Sequence, residues 1–471
     1  MLKKILIANR GEIAVRLIRA CAEMKIRSVA IYTEPDRYAL HVKRADEAHF
    51  IGDDPLGGYL NAHRLVNLAV ETGCDAIHPG YGFLSENPEL AAICARRGIR
   101  FIGPKAEVIQ RMGDKTAARQ AMIEAGVPVT PGSEGNLDNV EHALREAERI
   151  GFPVMLKATS GGGGRGIRRC DSAVELKSAW DRVVSEATKA FGSAEVFLEK
   201  CIDEPRHIEV QILADSHGNT IHLFERDCSI QRRNQKLIEI APSPQLDAAQ
   251  RERICGLAVR AAEAVGYENA GTVEFLVKGD DVYFMEMNTR VQVEHTITEQ
   301  ITGVDIVQEQ IRIASGLPLS WRQDEIGMRG FAIQLRINAE DPQQDFLPSF
   351  GRVTRYYAPG GPGVRVDTAI YTGYSIPPYF DSMCLKLIVW ALRWDDALDR
   401  GLRALADMRL MGVKTTAPYY AQILANPTFR GGRFDTSFIA KHPELTRYSE
   451  KTRPQELALA VATAIAVHTG L

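Results

Sequence analysis

Short apolar runs alternate with amphipathic stretches over residues 3–103. KILIA, RSVAIYT, CDAIHP and IRFIG are nearly uninterrupted apolar segments of strand length, the pattern of strands buried on both faces. After Arg10 the apolar positions change to helical spacing, with Ile13, Ala14, Leu17, Ile18 and Cys21 on one face. Gly73 and Gly98 stand where such helices stop. The pattern predicts a βαβ series, a parallel sheet flanked by helices. The first turn, ANRGEIA, has one glycine where a dinucleotide fingerprint needs three, which argues against a Rossmann dehydrogenase.

Residues 112–202 predict a small separate α/β lobe. It holds a helix containing Lys115, a turn at Pro131 and Gly132, a helix near 139–150, the strand before KATSGGGG, and a strand over VFLEKCI. Antiparallel sheet then begins with HIEVQILAD and NTIHLFERD, joined by the turn Ser216-His217-Gly218. A helix over 304–314 and strands near 331–338, 352–357 and 382–390 announce a third, α+β part. From residue 450 the chain turns rich in Ala, Leu and Val, predicting a helix of about three turns, too short to span a bilayer, that packs on its own domain or on a partner.

The densest chemistry lies in residues 271–296, GTVEFLVKGDDVYFMEMNTRVQVEHT. A hairpin turning at Asp280 sets Glu274 opposite Glu286, with Asn288 on the same face as Glu286. Two carboxylates at about 4 Å repel by roughly 4 kcal/mol at an effective dielectric near 20, far above the ~0.2–1 kcal/mol of a good cross-strand pair. A cation resolves the conflict, and an all-oxygen donor set suits Mg²⁺ or Mn²⁺ rather than zinc. Beyond the hairpin Arg290, Gln292 and Glu294 alternate with valines, so an extended segment places them on one face. Arginine beside an amide suits a small planar oxyanion, with Glu294 placed to take its proton.

Four glycines, Gly161 to Gly164, followed by Arg165 and Gly166, would each weaken regular structure by roughly 0.5–1 kcal/mol relative to alanine, so the run is not mere packing. Its amides can wrap phosphate oxygens, and Lys157 at the end of the preceding strand adds a point charge. Neither a Walker loop nor a kinase catalytic loop is present. Arg232, Arg233 and Lys236 form a basic run, and Arg336 lies mid-strand among apolar neighbours, where it needs an acidic partner or an anionic substrate.

Composition narrows the class. The chain has 471 residues, 45% hydrophobic and 25% charged, an ordinary globular balance with length for about three domains. A net charge of -3 argues against nucleic-acid binding. The 8 cysteines form no C-x-x-C pair and suit a reducing, cytoplasmic setting. The N-terminus lacks a secretory apolar core, and no segment is long enough for a membrane span.

The motifs ILIANRGEIAVRLIRAC, IHPGYGFLSEN, FIGP with MGDK, KATSGGGGRGIR, ERDCSIQRR, FMEMNTRVQVEH and RINAEDP together resemble the biotin carboxylase family of the ATP-grasp superfamily, over residues 1 to about 442. The resemblance implies an N-terminal α/β domain over 1–112, an ATP-grasp domain over 113–317 with a glycine-rich lid at about 131–203, a C-terminal domain over 318–445 and a tail helix over 446–471. It implies ATP contacts at Lys115, Lys157, Gly163, Gly164, Glu199, Lys200, Ile202, His207, Gln231, Asn234, Glu274 and Glu286. Glu274, Glu286 and Asn288 would hold Mg²⁺ or Mn²⁺; Lys236, Arg290, Gln292 and Val293 would hold bicarbonate. Glu294 would be the base and Arg336 would lie beside biotin, with Arg290 and Lys236 also in the reacting centre. Asn234 departs from the histidine typical of the family, so any contact there is neutral.

No M-K-M biotinylation tripeptide is present. Biotin is therefore expected on a separate carrier protein or biotinylated carboxyltransferase subunit, with this chain a homodimer within the larger complex. YTEPDRYALHVKRADEA, VQVEHTITEQITGVDIV and the long tail resemble the biotin carboxylase component of two-subunit pyruvate carboxylases more than that of acetyl-CoA carboxylase. The competing expectations are another ATP-grasp ligase, which has no need of the R-V-Q-V-E anion site, and a silent nucleotide sensor.

Overall fold

A computed structural model describes residues 1–133, 135–159, 167–191, 195–449 and 454–469. The first hundred residues build the expected parallel sheet from β1 (Lys4–Ile7), β2 (Arg27–Tyr32), β3 (Glu47–Phe50), β4 (Ala76–His78) and β5 (Arg100–Phe101), in the order β3-β2-β1-β4-β5. β3 was not foreseen, because EAHF has neither an apolar run nor clean alternation. Helix Gly11–Glu23 buries Ile13, Ala14, Leu17, Ile18 and Cys21 as its spacing predicts. It also buries Val15 and Ala20, and its cluster includes Val307 and Ile311 of the distant helix Ile306–Ala314. Gly73 and Gly98 adopt φ 66 and φ 69, the left-handed geometry that ends a helix.

A small antiparallel sheet follows, β6 (Val154–Ala158) between β7 (Ile167–Cys170) and β8 (Val196–Lys200). Helix Val140–Ile150 packs beside it, with the Asn139 side chain accepting from the His142 N–H at 2.8 Å. Such a cap contributes about 1 kcal/mol.

The central feature is an eight-stranded antiparallel sheet. It comprises β9 (Arg206–Ala214), β10 (Thr220–Arg232), β11 (Gln235–Ala241), β12 (Asn269–Lys278), β13 (Asp281–Asn288), β14 (Phe331–Asn338) and the strands Val364–Thr368 and Met383–Ala391. The order is β13-β12-β9-β10-β11-β14, then Met383–Ala391, then Val364–Thr368. β14 pairs with β11 from Ile238↔Leu335 to Ala241↔Ala332, so the sheet runs without a break past residue 317. The single strand expected over 352–357 is instead two short ones, Gly351–Arg352 and Arg355–Tyr357, which pair with different partners. The terminal helix, Pro454–Thr469, is longer than the three turns expected, and it leaves Leu459, Val461, Ile465 and Val467 exposed.

Candidate active site

The hairpin of β12 and β13 forms, and its register comes out as expected for a different reason. Lys278 pairs with Asp281, so the turn is centred between Gly279 and Asp280 and would set Glu274 opposite Met285. A bulge after Glu274 inserts one residue into β13, and Glu274 faces Glu286. Asn288 donates to Glu274 Oε1 at 2.8 Å. Burial pushes the Glu286 carboxyl up, and the nearby Glu274 charge pushes it further. This pair resists carrying two negative charges, which is the condition a bound cation relieves.

Lys236 is the hub of the site. Its ammonium lies 2.5 Å from Glu209, 2.9 Å from Glu274 and 2.8 Å from Glu294, and donates to the Gln292 amide oxygen at 3.3 Å. Burial alone would lower its pKa, but Glu209, Glu274 and Glu294 hold it well above the ordinary lysine value. The same convergence works on the acids: burial favours their neutral forms, while Lys236 first and then His207 hold Glu274 far below the usual carboxylate range. His207 Nε2 lies 2.6 Å from Glu274, and its Nδ1 accepts from Gln231 at 2.7 Å.

Glu294 is clamped from two sides. Lys236 holds Oε1, and Arg336 donates to Oε2 at 3.0 Å while its Nε donates to Glu239 at 2.5 Å. Against the effect of burial, Lys236 and then Arg336 hold the Glu294 carboxyl well below the ordinary range. Lys236 and Glu239, an odd number of residues apart on β11, both reach this region because the register slips between Ile230↔Ile238 and Gln231↔Lys236.

The residues 290–294 converge, but not as the extended segment expected. After β13 the backbone bends, turns at Val293 and Glu294, and enters helix His295–Thr302. Gln292 donates to Glu274 Oε1 at 2.8 Å; Arg290 donates to Asn288 Oδ1 at 3.0 Å and pairs with Glu86 at 3.0 Å.

Beside this cluster lies a cleft lined by Lys115, Arg119, Lys157, Phe197, Glu199, Phe284 and Glu286, between the small sheet and the hairpin. Lys157 pairs with Glu199, and burial lowers the Lys115 pKa. Gly163 and Gly164 lie outside the described residues. Lys200 does not join the cleft lining: its ammonium donates to the Gly151 and Phe152 carbonyls, both at 2.9 Å. Ile202 is half-buried in the loop after β8. Asn234 sits exposed at the β10–β11 tip with φ 63, a left-handed conformation asparagine tolerates well.

Sequence reasoning passed over Glu209, Glu239 and Glu86. A signal existed for Glu209, since His207, Glu209 and Gln211 alternate along β9 and are all buried. Arg226 is fully buried, 2.5 Å from Glu209, and donates to Gln211, Thr272 and Thr298.

Comparison with known proteins bears on this arrangement directly. The biotin carboxylase N-terminal domain matches residues 1–109, the ATP binding domain of the carbamoyl-phosphate synthase L chain matches 114–322, and the biotin carboxylase C-terminal domain matches 334–441. The chain is 53% identical over 473 positions to the 2-oxoglutarate carboxylase small subunit of Hydrogenobacter thermophilus, covering 100% of both. The chain belongs to the biotin carboxylase family. As a biotin carboxylase it is an ATP-dependent ligase. This biotin carboxylase is also 52% identical to a pyruvate carboxylase subunit of Methanothermobacter thermautotrophicus, over 94% of this chain and 90% of that one. Its fold matches the biotin carboxylase domain dimer of the Hydrogenobacter thermophilus 2-oxoglutarate carboxylase, solved with MgADP, ADP and bicarbonate. That match has a TM-score of 0.94 and 54% identity, over 96% of this chain and 100% of that one.

Proposed function

We propose that this biotin carboxylase uses ATP and bicarbonate to carboxylate biotin carried by a separate protein, through carboxyphosphate. The observation that carries the reading is the convergence on Glu294 of Lys236 and Arg336, beside a cleft lined by Lys115 and Lys157. Lys115, Lys157, Glu199, His207, Gln231 and Glu286 would contact ATP, while Lys236, Arg290, Gln292 and Val293 would hold bicarbonate. Glu274, Glu286 and Asn288 fit Mg²⁺ or Mn²⁺, since their donors are oxygens and the Glu286 carboxyl, raised by burial and by the Glu274 charge, has no ion pair of its own among the described residues. When bound there, the ion screens the charge spreading over the phosphoryl oxygens. Lys200, two of whose three donors go to backbone carbonyls, contributes by holding the loop before β6.

In the present geometry Glu294 is a weak base, because two cations stabilise its charge. Binding an anion draws Lys236 and Arg336 away from it, and the released carboxylate in its buried site gains basicity. Glu294 then takes the bicarbonate proton, and the bicarbonate oxygen attacks the ATP γ-phosphorus, breaking its bond to the bridging oxygen so that ADP leaves and carboxyphosphate forms. Carboxyphosphate breaks down to CO₂ and phosphate; the phosphate takes the biotin N1′ proton, Arg336 stabilises the ureido anion, and N1′ attacks the CO₂ carbon to give carboxybiotin. Excluding water protects the mixed anhydride meanwhile.

The domain division at 112, 317 and 445 belongs to the same reading, supported by the three matched family segments. The final acceptor is a 2-oxo acid, pyruvate or 2-oxoglutarate, rather than acetyl-CoA. Support comes from the tail, which falls within the full-length alignment to the 2-oxoglutarate carboxylase small subunit. The chain would act as a homodimer in a cytoplasmic complex with a biotinylated subunit; no described helix is long and apolar enough to cross a membrane. ATP hydrolysis dependent on both bicarbonate and biotin tests the reaction, and hydrolysis indifferent to biotin would refute it. Carboxyl transfer from the charged carrier to pyruvate, 2-oxoglutarate or acetyl-CoA tests the acceptor.

A further inference from the structure

Beneath the turn that carries Arg290, Gln292 and Glu294 lies a buried layer that the proposed chemistry does not use. Lys386, fully buried on strand Met383–Ala391, donates its ammonium to the Val293 carbonyl at 3.0 Å. It pairs with Glu12 at 3.2 Å, whose other oxygen accepts from the Tyr81 hydroxyl, and its register partner on strand Val364–Thr368 is a second buried acid, Asp367. His295, also fully buried, contacts the Gln292 carbonyl through Nδ1 at 2.7 Å, and its backbone N–H donates to the same oxygen at 3.3 Å. Burial keeps that imidazole neutral, so Nδ1 is the protonated nitrogen.

The positions are matched across strands. Lys386 is the register partner of Arg336 on β14. Two neighbouring cations therefore grip consecutive residues of one turn: Arg336 the Glu294 carboxylate, Lys386 the Val293 carbonyl. In a trans peptide the C=O and N–H point in opposite directions, and the described cis bonds are both at prolines elsewhere. With the carbonyls of residues 292 and 293 drawn into the buried layer, the N–H groups of Val293 and Glu294 are aimed away from it. Successive N–H groups turned to one side form a concavity that suits an anion.

We infer that Lys386 is a positioning residue for bicarbonate: by clamping the Val293 carbonyl, it sets the backbone of the anion-holding turn without touching the anion. The inference rests on the assignment of bicarbonate to that turn. Removing the lysine alone strands Glu12 as a buried charge, so the informative variant is the neutral pair Glu12→Gln with Lys386→Met. In bicarbonate-dependent ATP cleavage by the full-length protein, the pair is expected to raise KM for bicarbonate about tenfold and to leave KM for ATP within about twofold. Lys386→Arg, which keeps a cation beside Glu12 but displaces its donors, is expected to raise KM for bicarbonate about threefold. It carries the same comparison if the pair fails to fold. KM for bicarbonate unchanged in the folded variants, or raised equally with KM for ATP, overturns the clamp. Gln292→Ala run in parallel separates the two failures. If it raises KM for bicarbonate while the Lys386 variants do not, the clamp alone is wrong; if it too has no effect, the bicarbonate site itself is misassigned.

Discussion

Arg336 reaches Glu294 across 3.0 Å while its Nε remains bound to Glu239. One guanidinium thus restrains the proposed base and is the group proposed to meet biotin. Arg336→Ser should cripple biotin carboxylation far more than bicarbonate-dependent ATP cleavage, by about 1.4 kcal/mol or more of transition-state stabilisation, a tenfold difference in rate. Equal losses in the two assays would remove the assigned role.

Glu294→Gln keeps the size of the side chain and abolishes its basicity. Bicarbonate-dependent ATP cleavage should fall about 10²–10⁴-fold, while binding of MgADP, measured by calorimetry, stays within about threefold. Loss of nucleotide affinity on the same scale as loss of turnover would show that Glu294 holds the nucleotide region together instead.

Neutralising one of the facing carboxylates tests the cation site without any turnover. Glu286→Gln removes the source of repulsion against Glu274 and should leave the metal-free protein at least as stable. The rise in Tm produced by Mg²⁺ with ADP should shrink to about half or less, because binding to the folded state is what generates that rise. An undiminished rise would place the metal elsewhere.

His41 supplies a pH test remote from the chemistry. It is fully buried, with Nε2 3.2 Å from the Ile31 carbonyl, and burial lowers its pKa to about 4 from the ordinary 6.5. Between those values the unfolded chain binds a proton that the folded chain does not. Its contribution is therefore whole above pH 6.5 and is lost as pH falls toward 4, by about 2 kcal/mol at pH 5. Urea midpoints should drop between pH 7 and pH 5 more steeply in the wild type than in His41→Gln; parallel slopes would contradict the assignment.

Tyr448 packs against the C-terminal core, and its carbonyl accepts from Gln343, so a cut at residue 450 spares that contact. Deleting 450–471 should leave carboxylation of free biotin within about twofold and abolish co-purification with the biotinylated subunit. Unchanged assembly would sink a docking role for the exposed helix.

The chain's local periodicity was enough for the parallel sheet, the β9–β10 pair and the hairpin that holds Glu274. What it could not convey was where single-residue slips occur. The bulge after Glu274 rescued a register inferred from a misplaced turn centre, and the slip beside Leu237 brought Lys236 and Glu239 together although strict alternation separates them. The 290–294 segment alternates like a strand, yet the entry into helix His295–Thr302 bends it; its polar groups still converge because Lys236 and Glu274 collect them. Lys386 carried no local signal at all. It is one lysine in an apolar strand, and its partners Val293 and Glu12 meet it only after the sheet is assembled.

The unbroken eight-stranded sheet has a consequence for how this protein can be divided. The family segments ending at residue 322 and beginning at 334 suggest a place to separate two modules. A cut there would strip β14 from β11 and leave the backbone of Ile238 and Ile240 as an open, apolar edge. Such an edge recruits other chains, so a fragment ending near 322 should come out of cells as aggregate. The seam between sequence families is therefore not a seam for folding, and both halves must be made together to obtain either one.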